Sequence, residues 1–149
     1  MLTKSTSTTI DAGKSRALVS VSPDRVWIAL GGLFGLLGVV AGAAGVHVLE
    51  NTLDADSLDT FETAVRFQMY HAIALLAVGA LASRWQNGSF KAAGWLFTAG
   101  IILFSGSLYL LAATDVGLFG AIAPLGGLSL IAGWAALIFG ALQRDSSTN

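Results

Sequence analysis

The residues best able to do chemistry are gathered in ETAVRFQMYHAIALL, Glu62 to Leu76, where Arg66, Gln68 and His71 stand at the entrance of an apolar run. Each would be expensive in hydrocarbon without a partner. Gln68 and His71 are three residues apart and, on a helix, project within about 60° of one another, so they can share one polar patch. Phe67 and Tyr70 flank that patch. Glu62 lies four residues before Arg66, the favourable order for an ion pair along a helix, and the arginine can snorkel outward. For His71 two readings stand side by side. A neutral imidazole can hydrogen-bond Ser105, Ser107 or Ser129 and fix helix register; alternatively, an intramembrane imidazole can carry a proton or contact a ligand.

Counting ~1.5 Å per residue from the basic end of each apolar segment puts His71 about 20 Å up from Arg84, with Ser105 and Ser129 at about 21 Å from Lys91 and Gln143. This predicts a polar layer shared by three helices. His47, Arg66 and Tyr109 come out higher, near the boundary that water and headgroups reach. Two histidines at different depths, with the acids outside the apolar segments, give no metal site, and a haem held by His47 and His71 meets the same mismatch. No cofactor is expected. Ser105-Gly106-Ser107 lies inside an apolar helix rather than on a strand-to-helix elbow and has no orienting acid within reach, which argues against Ser-His catalysis. The reading is therefore non-enzymatic, with no catalytic residue.

The elements that must hold these groups follow from composition. The chain has 149 residues, 54% of them hydrophobic and 11% charged, with a mean hydropathy of +0.72, far from soluble usage. A bilayer core takes about 20 apolar residues per helix, and four stretches qualify, spans 27–49, 60–83, 92–113 and 118–142. Ser22-Pro23-Asp24 supplies an N-cap and an N-terminal proline for the first. Asp59 with Glu62 reads as a capping box starting the second near Thr60, and Pro124 is expected in the first turns of the fourth. Lys4, Lys14, Arg16, Arg25, Arg84, Lys91 and Arg144 fall on one side of such a model and Arg66 alone on the other. Positive residues are retained on the cytoplasmic side, so both termini are expected there, in a bacterial cytoplasmic membrane. Residues 1–22 are expected to form a disordered Ser/Thr-rich tail and residues 144–149 a short one, flanking a four-helix domain over 23–143. A cleaved signal peptide is not expected, and the basic, hydroxyl-rich tail also resembles a mitochondrial transit peptide, a reading that Asp11 and Asp24 weaken. A net charge of −1 offers no basic field for nucleic acid.

Helices in lipid associate through small residues that let backbones approach. Gly31, Gly35, Gly38, Gly42 and Gly45 follow spacings of four, three, four and three, the seam of a left-handed pair. Gly126, Ser129, Gly133, Ala136 and Gly140 repeat the device. The third segment alternates small and large along Ala92, Leu96, Ala99, Leu103, Gly106, Leu110 and Ala113, which is expected to be its interlocking face. The prediction is an all-α, up-down four-helix membrane bundle without a wide pore.

The stretches GAAGVHVLE, FETAVRFQMYHAIALL, LFSGSLYLLA and PLGGLSLIAGW resemble, in order and spacing, the small integral membrane proteins of the YgdD/YwdK family, also known as domain of unknown function 423, which includes eukaryotic transmembrane protein 256. The likeness covers roughly Trp27 to Leu142. It implies a four-helix membrane protein and no catalytic role, with His47, Gln68, Tyr70, His71, Ser105, Ser107 and Tyr109 matching the recurrent polar positions. Three functions are compatible: an accessory or scaffold subunit of a larger membrane complex or homo-oligomer; a transporter of protons or a small solute using the His71 layer; or a lipid or quinone binder in a cleft lined by Phe67, Tyr70, His71 and Tyr109. The first needs no active site and suits four spans with short loops.

Overall fold

A computed structural model of the chain describes residues 23–85 and 88–143, of which all but the short connections are helical. The two expected tails, 1–22 and 144–149, lie outside the described residues. Helix α1 spans Pro23–His47, α2 Ala55–Arg84, α3 Gly88–Gly100, α4 Gly106–Thr114 and α5 Gly117–Leu142. Between α3 and α4, Ile101–Ser105 forms a π-turn in which the Gly106 N–H donates to the Ile101 carbonyl. With that turn, Gly88–Thr114 is one rod, so four helices are long and apolar enough to cross a membrane.

The starts and stops have local causes. Helix α2 begins five residues before Thr60, because Asp54, not Asp59, is its N-cap: its side chain accepts from the Ser57 N–H at 2.9 Å and from the Ser57 hydroxyl at 2.9 Å. The sequence holds two overlapping caps, and the earlier one wins because the intervening Ala55-Asp56-Ser57-Leu58 is itself compatible with helix. Helix α4 ends at Asp115, whose backbone is left-handed at φ 54° and whose N–H donates to Leu111 O at 2.8 Å. Only Asp115 and Val116 then separate α4 from α5. Pro124 is the eighth residue of α5, in its third turn. It denies Gly120 O its usual donor and loosens the helix two residues before Gly126.

Close pairing follows the glycines. Along α1, a β-carbon on Gly31 would lie 2.8 Å from Ala72 O, one on Gly38 2.6 Å from Met69 Sδ and one on Gly45 3.3 Å from Phe61 Cε1, so this seam is filled by α2. Gly35 is the exception, with nothing within 4 Å. Along α5, Gly126 meets the backbone of Phe104, Gly133 the Phe97 ring and Gly140 Phe90 and Ser89. The π-turn sits where Phe104 presses on Gly126, and the widened turn pushes that backbone toward α5. The expected small-large face of the third rod is not its interlocking face. Ala92, Ala99, Leu103, Leu110 and Ala113 are exposed, and the rod instead buries Phe90, Ala93, Gly94, Phe97 and Ile101. The two faces differ by one residue in register, and the aromatic volume of Phe90 and Phe97, which fills the α5 glycine notches, decides between them.

Helix α1 docks mainly on α2, α2 on the third rod, and the third rod on α5. The apolar core gathers Trp27, Leu75, Val78, Phe90, Phe97, Ile101 and Leu130. Trp27 reaches from α1 to the third rod by lying over Gly94, where an added β-carbon would come within 2.6 Å of the indole. It also meets Trp95 edge-on, at 5.2 Å between ring centroids. The polar side chains of α2 sit beyond this core, on the side toward its N-terminus.

Candidate functional site

His71, 5% exposed, is held at both ring nitrogens. Its Nδ1–H donates to Phe67 O one turn back at 2.7 Å, and its Nε2 accepts from the Trp134 indole N–H of α5 at 3.1 Å. An indole can only donate and a carbonyl can only accept, so together they fix one neutral tautomer. The imidazole is enclosed by Phe67, Phe97 and Trp134, with centroid separations of 6.0, 5.6 and 6.1 Å. Phe67 in turn packs on Phe104 at 4.5 Å.

Gln68 makes a second link. Its Nε2 donates to Phe34 O of α1 at 2.8 Å, and its Oε1 accepts from the Tyr109 hydroxyl of α4 at 3.0 Å. One amide therefore spans three helices. Gly38 leaves room for it: a β-carbon there would lie 3.4 Å from the amide nitrogen. A third link is Ser129, whose hydroxyl donates to Leu96 O of α3 at 2.8 Å.

The expected layer is thus divided into separate staples. His71 takes none of Ser105, Ser107 or Ser129 as partner; it takes Trp134. Trp134 lies five residues, about 7.5 Å, beyond Ser129 along α5, and its long indole leans back toward the N-terminus of its helix to close the gap. Depth counting from Cα positions misses such a reach. Its signal in the sequence is an indole well inside a span, since a buried indole N–H seeks an acceptor. Ser107 donates to Phe104 O of its own rod at 3.0 Å. Ser105, 1% exposed, has a hydroxyl without a hydrogen-bond partner among the described residues.

The remaining candidates stand apart. His47 ends α1, exposed. Tyr70, 60% exposed, faces away from the staples. Arg66 does not pair with Glu62: its Nη2 donates to the Thr63 hydroxyl at 3.1 Å and to Asp59 Oδ1 at 3.4 Å. Helix α2 starts early enough to carry Asp59 two turns before Arg66, and the arginine reaches back along the helix to it.

The cleft expected between Phe67, Tyr70, His71 and Tyr109 does not form. Phe67 and His71 lie on the α5 side of α2, whereas Tyr109 lines a separate groove of about 380 Å³ with Phe34, Leu37, Gln68 and Ile102, between α1 and the third rod. No group of three His, Asp or Glu able to hold a metal occurs among the described residues.

Four apolar rods tied across their interior by hydrogen bonds define a small polytopic membrane protein, built on helix association. Residues 41–127 match the family model described as "Protein of unknown function (DUF423)". The chain is 43% identical over 120 residues to the UPF0382 membrane protein YwdK of Bacillus subtilis, covering 80% of this chain and 98% of that one. Identity is 44% over 119 residues to a UPF0382 membrane protein of Staphylococcus saprophyticus, with 80% and 98% covered. It is 33% over 119 residues to the UPF0382 inner membrane protein YgdD of Escherichia coli K12, with 80% and 91% covered. The chain belongs to this family of membrane proteins of unknown function, as its sequence motifs imply. No solved structure matches it.

Proposed function

We propose that the protein is a non-enzymatic accessory or scaffold subunit of the bacterial cytoplasmic membrane. Its four spans would run up, down, up and down, with both termini cytoplasmic. The topology is supported by contacts that run α1 and α2 antiparallel, Gly45 near the end of α1 with Phe61 near the start of α2, and Gly31 early in α1 with Leu76 late in α2. It is also supported by Arg84 and Lys91 flanking one connection while Glu50, Asp54 and Asp56 crowd another.

The observation that carries the functional reading is the one-sided docking of α1. Only 17% of its membrane-length window is buried. Leu36, Val39 and Val40, 62%, 61% and 59% exposed, form part of a free apolar face that suits another membrane helix. The staples agree with this reading. With both His71 nitrogens engaged, a proton path would have to break the link that joins α2 to α5.

The test uses the absence of cysteine, which makes single-cysteine variants unambiguous. Gentle isolation from the native membrane should return one partner at fixed stoichiometry, cross-linked from cysteines at Leu36 or Val40. A chain that stays alone by native mass spectrometry and cross-links to nothing from α1 refutes the subunit role. One observation favours a second reading, a lipid or quinone binder: the apolar groove between α1 and the third rod is lined by two polar residues, Tyr109 and Gln68, hydrogen-bonded to each other. Extraction in native lipid that yields no enriched molecule, or equal enrichment in Tyr109→Phe and Gln68→Leu, refutes it.

A further inference from the structure

We infer that the upper end of the α1–α2 seam is a binding site for a zwitterionic phosphoethanolamine lipid. This inference does not depend on the subunit reading. A groove of about 220 Å³ lies there, floored by Gly42, Gly45, Phe61 and Val65 and lipped by Glu62 and Arg66. It falls below the ~300–1,000 Å³ of pockets that enclose a whole small ligand. That size suits a lipid whose headgroup and first methylenes are held by protein while its chains stay in the bilayer.

The lip supplies charge complementarity of a particular kind. Glu62 and Arg66 are one helical turn apart, with about 6 Å between their β-carbons, and the carboxylate is not used by the guanidinium, which bonds Thr63 and Asp59 instead. The Asp59 contact is long, at 3.4 Å, and both partners are exposed, at 53% and 78%. Such a pair contributes little and leaves the planar fork able to take a phosphate in bidentate fashion. Among the described residues Glu62 has no hydrogen-bond donor, so an ammonium group can donate to it. Opposite charges one turn apart therefore match the phosphate and the ammonium at the two ends of an ethanolamine linker. An anionic headgroup would satisfy Arg66 and be repelled by Glu62, and a trimethylated head has no N–H to give.

The floor is shallow at Gly42, where a β-carbon would be in ordinary contact with Val65 at 3.5 Å, and it closes one turn further in, where a β-carbon on Gly38 would lie 2.6 Å from Met69 Sδ. The protein therefore holds the headgroup and the first methylenes, and the acyl chains continue in the bilayer.

The test is native mass spectrometry of the full chain in mild detergent, titrated with equimolar phosphatidylethanolamine, phosphatidylglycerol and phosphatidylcholine of identical chains. The wild type should retain phosphatidylethanolamine at least fivefold over the other two. Glu62→Gln should bring phosphatidylethanolamine and phosphatidylglycerol to parity, Glu62→Lys should reverse the preference toward phosphatidylglycerol, and Arg66→Gln should weaken all three. All three variants change exposed groups, and unchanged helicity by circular dichroism shows that they fold. Equal retention of the three lipids by the wild type overturns the site. Phosphatidylcholine held as well as phosphatidylethanolamine overturns the role of the ammonium, and an unaltered preference in Glu62→Lys overturns the role of the lip.

Discussion

Gly126→Ala is the substitution by which the proposed construction of the bundle stands or falls. The new β-carbon would lie 2.7 Å from the Phe104 Cα and 2.8 Å from the Leu103 carbonyl carbon. Those atoms are backbone, so no rotamer change relieves the overlap, and α5 must move away from the third rod. Overpacking of this kind costs about 1–3 kcal/mol. Displacing α5 also weakens the Ser129 bond to Leu96, at about 0.6 kcal/mol for an interhelical bond in lipid. Against this stands a gain of up to about 1 kcal/mol from replacing glycine by alanine in a helix. The net loss is about 2 kcal/mol, roughly a thirtyfold rise in the unfolded fraction. The cost should fall in order along the seam. Gly133→Ala is milder because its neighbour is the Phe97 ring at 2.6 Å, a side chain that can swing, and Gly140→Ala milder again because Phe90 and Ser89 are 3.1 Å away. Gly127→Ala and Gly32→Ala are the controls, with the nearest atom at 3.7 Å for the first and nothing within 4 Å for the second. Reversible unfolding in mixed micelles of increasing SDS, followed by circular dichroism, reads all five. If Gly126→Ala falls within about 0.5 kcal/mol of the two controls, the range of inconsequential surface changes, the close approach of α5 and Phe104 is wrong.

Trp134→Phe removes the donor to His71 and should cost about 0.6–1.7 kcal/mol in the same assay; added to His71→Ala it should cost almost nothing further, and simple additivity would show that the two are not paired. Tyr109→Phe leaves Gln68 Oε1 without its donor, while Gln68→Leu releases both Tyr109 and Phe34 O; each should cost about 1 kcal/mol or more, and an unchanged SDS midpoint in both would refute the three-helix link. The Ser57 N–H and hydroxyl beside Asp54 hold its carboxyl below the usual carboxylate range. The cap is therefore fully present above the unfolded-chain value near 3.9 and is lost as pH falls through the lower folded value. Hydrogen exchange at Ser57 and Leu58 should accelerate below pH ~4 in the wild type, whereas Asp54→Asn should show a flat profile over that range, once intrinsic exchange is divided out.

What was legible in the sequence and what was not separates along a physical line. The spans could be read because hydropathy over 20 residues is a sum, insensitive to any one side chain. The seams of α1 and α5 could be read because a glycine at heptad spacing has one common use in lipid. Gly35 escaped because periodicity reports the face of a helix and not how far the partner extends along it. The face of the third rod was misplaced by one residue because small-large alternation ran along two adjacent stripes. Which stripe is buried depends on whether the facing notches fit Phe90 and Phe97, a property of α5. The early start of α2 lay in two overlapping caps, and a local rule cannot rank them.

The polar residues show the same division at higher stakes. That Gln68 and His71 must have partners followed from the cost of burying them, but which partners depended on reach. A serine hydroxyl bonds within its own turn as easily as across a helix interface, and Ser107 does so. Gln68, His71 and Trp134 are long and planar and reach from helix to helix, whereas Ser129 crosses only because α5 lies close against the third rod. In lipid, where apolar contact gives no net drive to associate, α1 needs both the fit of its glycines against α2 and a directional tie to hold its register. The Gln68 bond to Phe34 O supplies that tie from the middle of the seam. By the same logic the ends of the seam are its weakest points, and at one of them lies the Gly42–Glu62 groove, where a lipid headgroup would finish the job that Gln68 does further in.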